Sequence, residues 1–211
     1  MSTLLFPIGI NIQEINNVFG SKNQHLYDRF ITSAVYVKFD EAYSFRRELE
    51  GLIFSYVVQQ NRVVKPAKFF GLIKGDDGRG LEGEWFEYAY ALLVICYELG
   101  EQFINLDEEL ELESEWNDFT KLLNLSTPMF DSETFLNSKA IFDIPFKQDD
   151  EIITAFLNEG QLHQLKMSLE NITAQPKHAN NKFVVLFKKC VEVCLNKKLD
   201  LILFSFEKAE D

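Results

Sequence analysis

The 211-residue sequence predicts an α+β fold that is mostly helical, with about seven helices packed on a small sheet. Two observations predict it: apolar residues recur at helical spacing along most of the chain, and a strand-like apolar run stands at each end. These runs are Thr3–Ile10 and Leu199–Phe206. Because strands so far apart in sequence need a common sheet, we expect the two to pair, within a single domain over residues 1–211.

Three amphipathic helices are predicted to follow the first strand. Each begins at a polar residue suited to an N-cap, namely Asn11, Ser21 (in a capping box with Gln24) and Asp40, and Gly20 ends the first. Their inward faces are predicted to contain Ile12, Ile15 and Phe19; Leu26, Tyr27, Phe30, Ile31 and Val35; and Phe45, Leu49, Leu52, Ile53 and Tyr56.

The central segment predicts a buried helix over Glu84–Leu99, bracketed by Gly83 and Gly100. Aromatic and aliphatic residues occupy more than one face of this helix, which is typical of a core helix enclosed on most sides. The preceding residues 59–83 are predicted to be a glycine-punctuated connection with a short strand over 68–73.

The C-terminal half predicts four more helical segments. The first follows the spacing of Leu112, Trp116, Phe119 and Leu123, and residues 125–147 after it are predicted to be irregular. A second is expected to be capped by Asp149 or Asp150 and broken at Gly160, with a third over 161–170. Residues 171–181 form a predicted linker. The last helix is expected to bury Phe183, Phe187, Cys190, Val191 and Cys194.

The charge distribution limits the classes of partner. A net charge of −12 disfavours nucleic acid and anionic membrane surfaces, which both reward basic patches. The charge is also uneven: residues 101–118 contain eight acids and no base, and residues 177–198 contain six lysines and one acid. This polarity is suited to steering a basic protein partner.

The lack of a recognisable targeting signal and the cysteine usage favour a cytoplasmic location. The N-terminus lacks the basic region of a secretory signal, and the longest apolar run, 89–97, is far shorter than the roughly 20 residues that span a bilayer. We therefore expect no membrane partner. The three cysteines, Cys96, Cys190 and Cys194, lie in apolar helical sequence and are predicted to be buried, reduced thiols.

No motif for catalysis, metal or cofactor binding is found. The glycine loop 74–80 precedes a helix but lacks the Gly-Lys-Ser/Thr order of a phosphate loop, and Asp76 and Asp77 would repel phosphate. The three histidines are dispersed without zinc-site spacing. We therefore assign no catalytic residue, no metal and no cofactor from the sequence.

The opening strand is followed by Gly20-Ser21 between two capped helices, then by the pattern Tyr88-x-Tyr90-Ala91-Leu92-x-x-x-Cys96-x-x-Leu99-Gly100, and finally by the C-terminal strand. Together these features resemble a family of uncharacterised bacterial proteins classified as a domain of unknown function. The resemblance covers nearly the whole chain in matching order, and the central pattern is its most specific part. It implies a bacterial cytoplasmic α+β protein and assigns no catalytic residues.

Three hypotheses of function follow, from different classes. The first is a non-enzymatic, immunity-like interaction protein that binds a basic protein partner through an acidic face, with Trp116 as an aromatic anchor. That face comprises Asp107, Glu108, Glu109, Glu111, Glu113 and Glu115. The alternative is a small-molecule binder or enzyme with a pocket beside the central helix, lined by Asp76, Asp77, Arg79, Glu84 and Glu87. A homo-oligomeric structural protein is a third reading, and the sequence leaves the oligomeric state open.

Overall fold

A computed structural model of the chain describes residues 3–57, 81, 87–106, 108, 110, 114–135, 142, 144 and 152–207. Over these ranges the chain forms eight α-helices and four β-strands, which confirms the α+β class. The chain divides into two compact units: unit 1 contains residues 1–12, 99–143 and 148–211, and unit 2 contains residues 13–98 and 144–147. The single domain over 1–211 stays a prediction.

The elements have the following bounds. The strands are β1 (Thr3–Ile10), β2 (Glu101–Gln102), β3 (Ile152–Leu157) and β4 (Asp200–Glu207). The helices are α1 (Ile12–Val18), α2 (Gln24–Ile31), α3 (Ala34–Tyr43), α4 (Arg46–Glu50), α5 (Glu87–Leu99), α6 (Ser114–Leu125), α7 (Glu159–Thr173) and α8 (Lys182–Lys197). A π-helix, Gly51–Ser55, continues α4 directly.

The sheet of unit 1 is antiparallel, with strand order β2-β1-β4-β3. β1 and β4 pair along their whole length, from Thr3 opposite Glu207 to Ile10 opposite Asp200, which confirms the predicted pairing of the terminal strands. The backbone N–H of Leu5 points away from β4 and donates to the carbonyl of Leu110 at 3.0 Å. Pro7, two residues on, faces the same side, so its missing N–H breaks no bond to β4.

The third long strand corrects a predicted helix. Residues Ile152–Leu157 were expected to continue a helix from Asp149 or Asp150, but they form β3 and pair with β4. The physical reason is local: the segment contains adjacent β-branched residues and is too short to show a helical period, and β4 offers it a ladder of backbone partners. Asp149 and Asp150 lie outside the described residues.

The helix after β3 begins later than predicted and is continuous. Asn158 caps α7: its side-chain oxygen accepts from the N–H of Gln161 at 3.0 Å, and the Gln161 side chain accepts from the N–H of Asn158 at 3.0 Å. Gly160 therefore lies in the first turn and does not break the helix. α7 and α8 pack against the sheet and against each other, and α6 packs against both helices.

The helices of unit 2 differ from the predicted pattern at two junctions. Asn23, not Ser21, caps α2, because its side-chain oxygen accepts from the N–H of Leu26 at 3.1 Å. Ser33 caps α3 through the N–H of Tyr36 at 3.2 Å, so the predicted second helix is two helices and Asp40 lies within α3. Gly20 ends the turn after α1 with φ +67°, where a Cβ atom would meet the carbonyl oxygen of Tyr56.

The central helix is confirmed as a core element. Ten consecutive residues of α5, Tyr88 to Tyr97, are buried. Tyr90 stacks on Tyr43 with ring centroids 4.2 Å apart and also contacts the rings of Phe39 and Phe45. These contacts tie α5 to α3 within unit 2. No helix in the described ranges is both long enough and apolar enough to span a membrane. The strand predicted over 68–73 lies outside those ranges.

Candidate functional site

The acidic segment of the first hypothesis is described in part. Asp107, Glu109, Glu111 and Glu113 lie outside the described residues. Glu108 is exposed, and its carboxylate accepts a hydrogen bond from the Asn105 side chain at 2.8 Å. Glu115, in the first turn of α6, is also exposed and lies 3.3 Å from Lys182 Nζ of α8. The carboxylates of both residues are therefore at the surface of unit 1.

Trp116 is not an exposed anchor, contrary to the prediction. Its side chain is 7 % exposed and belongs to the core of unit 1. Its ring contacts four phenylalanines, with centroid distances from 5.1 to 6.2 Å: Phe119, Phe135, Phe183 and Phe187. The physical reason is that Trp116, Phe119 and Leu123 share the inward face of α6, so the tryptophan follows the helix period into the core.

The outer face of α6 changes character along its length. Glu115, Asp118, Leu122 and Leu125 recur at spacings of three and four, so they lie on one side of the helix, acidic first and apolar last. Beside the acidic half is a surface groove of about 600 Å³. It is lined by Glu115, Asp118, Lys121, Leu122, Lys177, His178, Asn180 and Asn181. The charges of the two acids and the two lysines in this lining cancel.

The apolar end of this face continues into a turn that many hydrogen bonds hold. Ser126 Oγ and Ser168 Oγ each donate to the carbonyl of Pro128 at 2.7 Å, and Gln164 Nε2 donates to the carbonyl of Met129 at 3.0 Å. On the far side Asn124 bonds both the backbone and the side chain of Ser132. The turn is thus fixed from both ends and from α7.

A second groove, of about 300 Å³, lies between α7 and α8. Its lining includes the buried Leu169 and Val191, and its charged members are Lys166, Glu170, Lys188 and Glu192. Because its lining contains two lysines and two glutamates, this groove has no net charge and does not favour a ligand of either charge.

Of the five residues predicted to line the alternative pocket beside the central helix, the structure describes only Glu87. Asp76, Asp77, Arg79 and Glu84 lie outside the described residues, and Glu87 is the first residue of α5. Glu87 interacts with a second carboxyl that the sequence analysis did not single out, Glu48 of α4. Within unit 2, the structure therefore places a carboxyl pair at the start of the central helix.

Glu48 is a buried carboxyl group with a raised pKa in the described part of unit 2. It is 2 % exposed, and its Oε2 atom has no hydrogen-bond partner among the residues that the structure describes. Burial raises the pKa of Glu48 to about 7; Glu87 also raises it through a hydrogen bond and its charge, while the backbone and Arg47 lower it. The burial of Glu48 could have been predicted from the sequence, because Glu48 lies between Phe45 and Leu52 on the predicted apolar stripe, at spacings of three and four.

The surroundings of the pair are tightly packed. The Tyr88 hydroxyl oxygen would lie 3.4 Å from a Cβ atom on Gly51, so α5 approaches the start of the π-helix closely. Gly51 follows Glu48 by three residues and so lies near it on the same side of the helix. A π-helix beside a buried acid is notable because π-helical turns occur often at functional sites.

A second polar cluster in unit 2 is centred on the hydroxyl group of Tyr27. The Tyr27 hydroxyl donates to Glu50 at 2.5 Å and accepts from Arg46 Nε at 3.0 Å, and it joins α2 to α4. Burial raises the pKa of Tyr27, and the hydrogen bond to Glu50 raises it further. Because the Tyr27 hydroxyl both donates and accepts a hydrogen bond within the chain, we interpret this cluster as structural.

The cysteines have the environment of core residues. Cys96, Cys190 and Cys194 are buried and form no disulfide, as predicted. Burial raises the pKa of each thiol, to about 12 for Cys194, so the reactive thiolate is disfavoured in all three. Among the described side chains no group of three or more His, Cys, Asp or Glu residues is arranged to hold a metal ion.

Comparisons of the chain with protein-family models, with curated proteins and with solved structures give no match. The resemblance to a bacterial domain of unknown function therefore stays a prediction, and the site must be interpreted from its own geometry.

Proposed function

We propose that this chain is a non-enzymatic, immunity-like interaction protein of the bacterial cytoplasm that binds a basic protein partner through acidic residues of unit 1. The observation that carries the proposal is the surface position of Glu108 and Glu115, within a segment of eight acids and no base. Such a segment attracts a basic protein and speeds its association, and it repels nucleic acid.

The ion pair of Glu115 is compatible with this function. The side chains of Glu115 and Lys182 are 48 % and 38 % exposed, and exposed ion pairs contribute only about 0–1 kcal/mol to stability. A lysine or arginine of a partner can therefore replace Lys182 at small cost. Asp118 and Lys121, 3.8 Å apart and more exposed, form a similarly weak pair.

Charge reversal tests the proposal. We expect the triple variant Glu108→Lys, Glu115→Lys, Asp118→Lys to bind a fluorescent lysine-rich peptide at least about tenfold more weakly than the unchanged chain, in an anisotropy titration at low salt. The matched control reverses three exposed acids of unit 2, Glu14, Asp28 and Glu41, with the same change in net charge. An equal loss in both variants would mean that the peptide senses only net charge, and the acidic-face proposal would fail.

The carboxyl pair of unit 2 supports a second candidate, a small-molecule binder or enzyme. Burial raises the pKa of Glu48 to about 7, close to the pH at which a general acid or base has to work. A buried carboxyl oxygen without a partner is also available to a ligand donor.

The protonation of Glu48 can be measured directly. Carbon-13 NMR of labelled glutamate side chains should show Glu48 titrating with a midpoint near 7. The variant Glu87→Gln should move that midpoint downward, because it removes the neighbouring negative charge. A midpoint at the ordinary glutamate value of 4.5 would eliminate this candidate.

A further inference from the structure

We propose that the turn after α6, comprising Leu125 to Met129 and here called the α6 turn, is the apolar docking point for a basic protein segment that carries an apolar side chain. This inference rests on the proposed function, since it specifies where and by what chemistry the basic partner is held. It assigns to the α6 turn the anchoring role that the buried Trp116 does not fill.

The first argument is exposure. Leu125 is 82 % exposed and Met129 is 57 % exposed, and the two lie four residues apart in the same segment. Six large hydrophobic residues are exposed in the described part of the chain, and three of them belong to this region. The third is Met167 of α7, 49 % exposed, three residues after the Gln164 that bonds the Met129 carbonyl. Such gathering of apolar surface is typical of interaction sites.

The second argument is rigidity. Phe130, 1 % exposed, anchors the underside of the α6 turn in the core, and its N–H donates to the carbonyl of Leu123 at 3.2 Å. Ser126, Ser168 and Gln164 add three hydrogen bonds to the carbonyls of Pro128 and Met129, so the backbone beside Leu125 and Met129 is tied to α7 and to the end of α6. A surface ordered before binding loses little conformational entropy on docking, which favours affinity.

The third argument is charge. From Leu122 to Phe135 the chain contains the exposed acids Asp131 and Glu133 and no lysine or arginine. The nearest lysines in sequence and across α7 are already close to acids: Lys121 lies 3.8 Å from Asp118, and Lys166 lies 4.0 Å from Glu170. An apolar centre with acidic residues at its edge is complementary to a basic segment with an apolar anchor.

The experiment uses the full chain and three synthetic peptides of equal length, measured by isothermal titration calorimetry. They are an amphipathic lysine/leucine peptide, a lysine/serine peptide of the same charge, and a glutamate/leucine peptide. We expect the lysine/leucine peptide to bind most tightly and the glutamate/leucine peptide not to bind. The double variant Leu125→Asn, Met129→Gln leaves the net charge unchanged, and it should lower the affinity for the lysine/leucine peptide by about tenfold.

The matched control is Val37→Asn, Val185→Asn, which removes two exposed apolar side chains, 50 % and 55 % exposed, at other places. It should leave the affinity unchanged, and circular dichroism should confirm that both variants are folded. If lysine/serine binds as tightly as lysine/leucine and the turn variant has no effect, the α6 turn is not the anchor, while the acidic-face proposal survives.

Other outcomes separate the two proposals further. If the glutamate/leucine peptide binds as tightly as the lysine/leucine peptide, the basic-partner chemistry is wrong for the turn and for the proposed function together. If no peptide binds, the docking proposal is wrong. If the chain alone is dimeric by light scattering and the turn variant is monomeric, the occupant is a second copy of the chain, which also overturns the proposal.

Discussion

Replacing Trp116 by alanine is expected to lower the free energy of unfolding by about 3–5 kcal/mol, the range for large aromatic truncations in a core. The side chain is 7 % exposed and contacts four phenylalanine rings from α6, α8 and the segment after the α6 turn. Removing it would leave a cavity that this aromatic cluster cannot fill without moving several elements. Urea unfolding followed by far-UV circular dichroism measures the effect.

The control for this prediction is Trp116→Phe, which keeps an aromatic ring and should lose much less stability. The alanine variant also separates the two roles considered for this residue. A surface anchor would change stability by less than about 0.5 kcal/mol on truncation and would change partner binding instead. A nearly unchanged free energy of unfolding would therefore contradict the buried position of Trp116.

The second large effect is the dependence of stability on pH through Glu48. Its pKa rises from 4.5 to about 7 on folding, so the folded state binds this proton more tightly than the unfolded state. The stabilisation is fully present below pH 4.5 and is lost as the pH rises through about 7. Since a tenfold change in proton affinity is worth about 1.4 kcal/mol, the loss attributable to Glu48 is about 3 kcal/mol.

The variant Glu48→Gln should remove this loss, because the amide has similar shape and does not ionise. Between pH 5 and pH 8 the unchanged chain should lose about 2.5 kcal/mol relative to the variant, as measured by urea unfolding at each pH. The control Glu41→Gln alters an exposed carboxyl of α3 and should follow the unchanged chain. Parallel pH profiles for Glu48→Gln and the unchanged chain would show that the buried carboxyl is not destabilising when ionised.

The sequence was sufficient for features that repeat along an element. The period of α6 predicted the inward face of Trp116, Phe119 and Leu123, and the unbroken apolar run of α5 predicted a helix buried on most sides. The pairing of β1 with β4 followed from the need of two terminal strands for a common sheet. In each case the hydrophobic pattern is long enough to identify the element without tertiary information.

Features that depend on tertiary partners were not predictable in this way. Ile152–Leu157 is a strand because β4 offers it a ladder, and six residues are too few to establish a period. The acidic residues around Trp116 favour a role as a surface anchor, but its position in the period of α6 places it in the core. The unusual proton affinity of Glu48 requires Glu87, 39 residues later in the sequence, to approach α4.

The central claim is that a basic segment docks on α6 and the α6 turn, and amide hydrogen exchange maps that contact without any substitution. The full chain is measured alone and with a saturating concentration of the lysine/leucine peptide. We predict slower exchange at Glu108, over Ser114–Phe135 and around Met167 of α7, where the exposed acids and the exposed apolar side chains of the proposed site lie. Protection on α2, α3 and α4 of unit 2, or no protection in the presence of bound peptide, would contradict the claim.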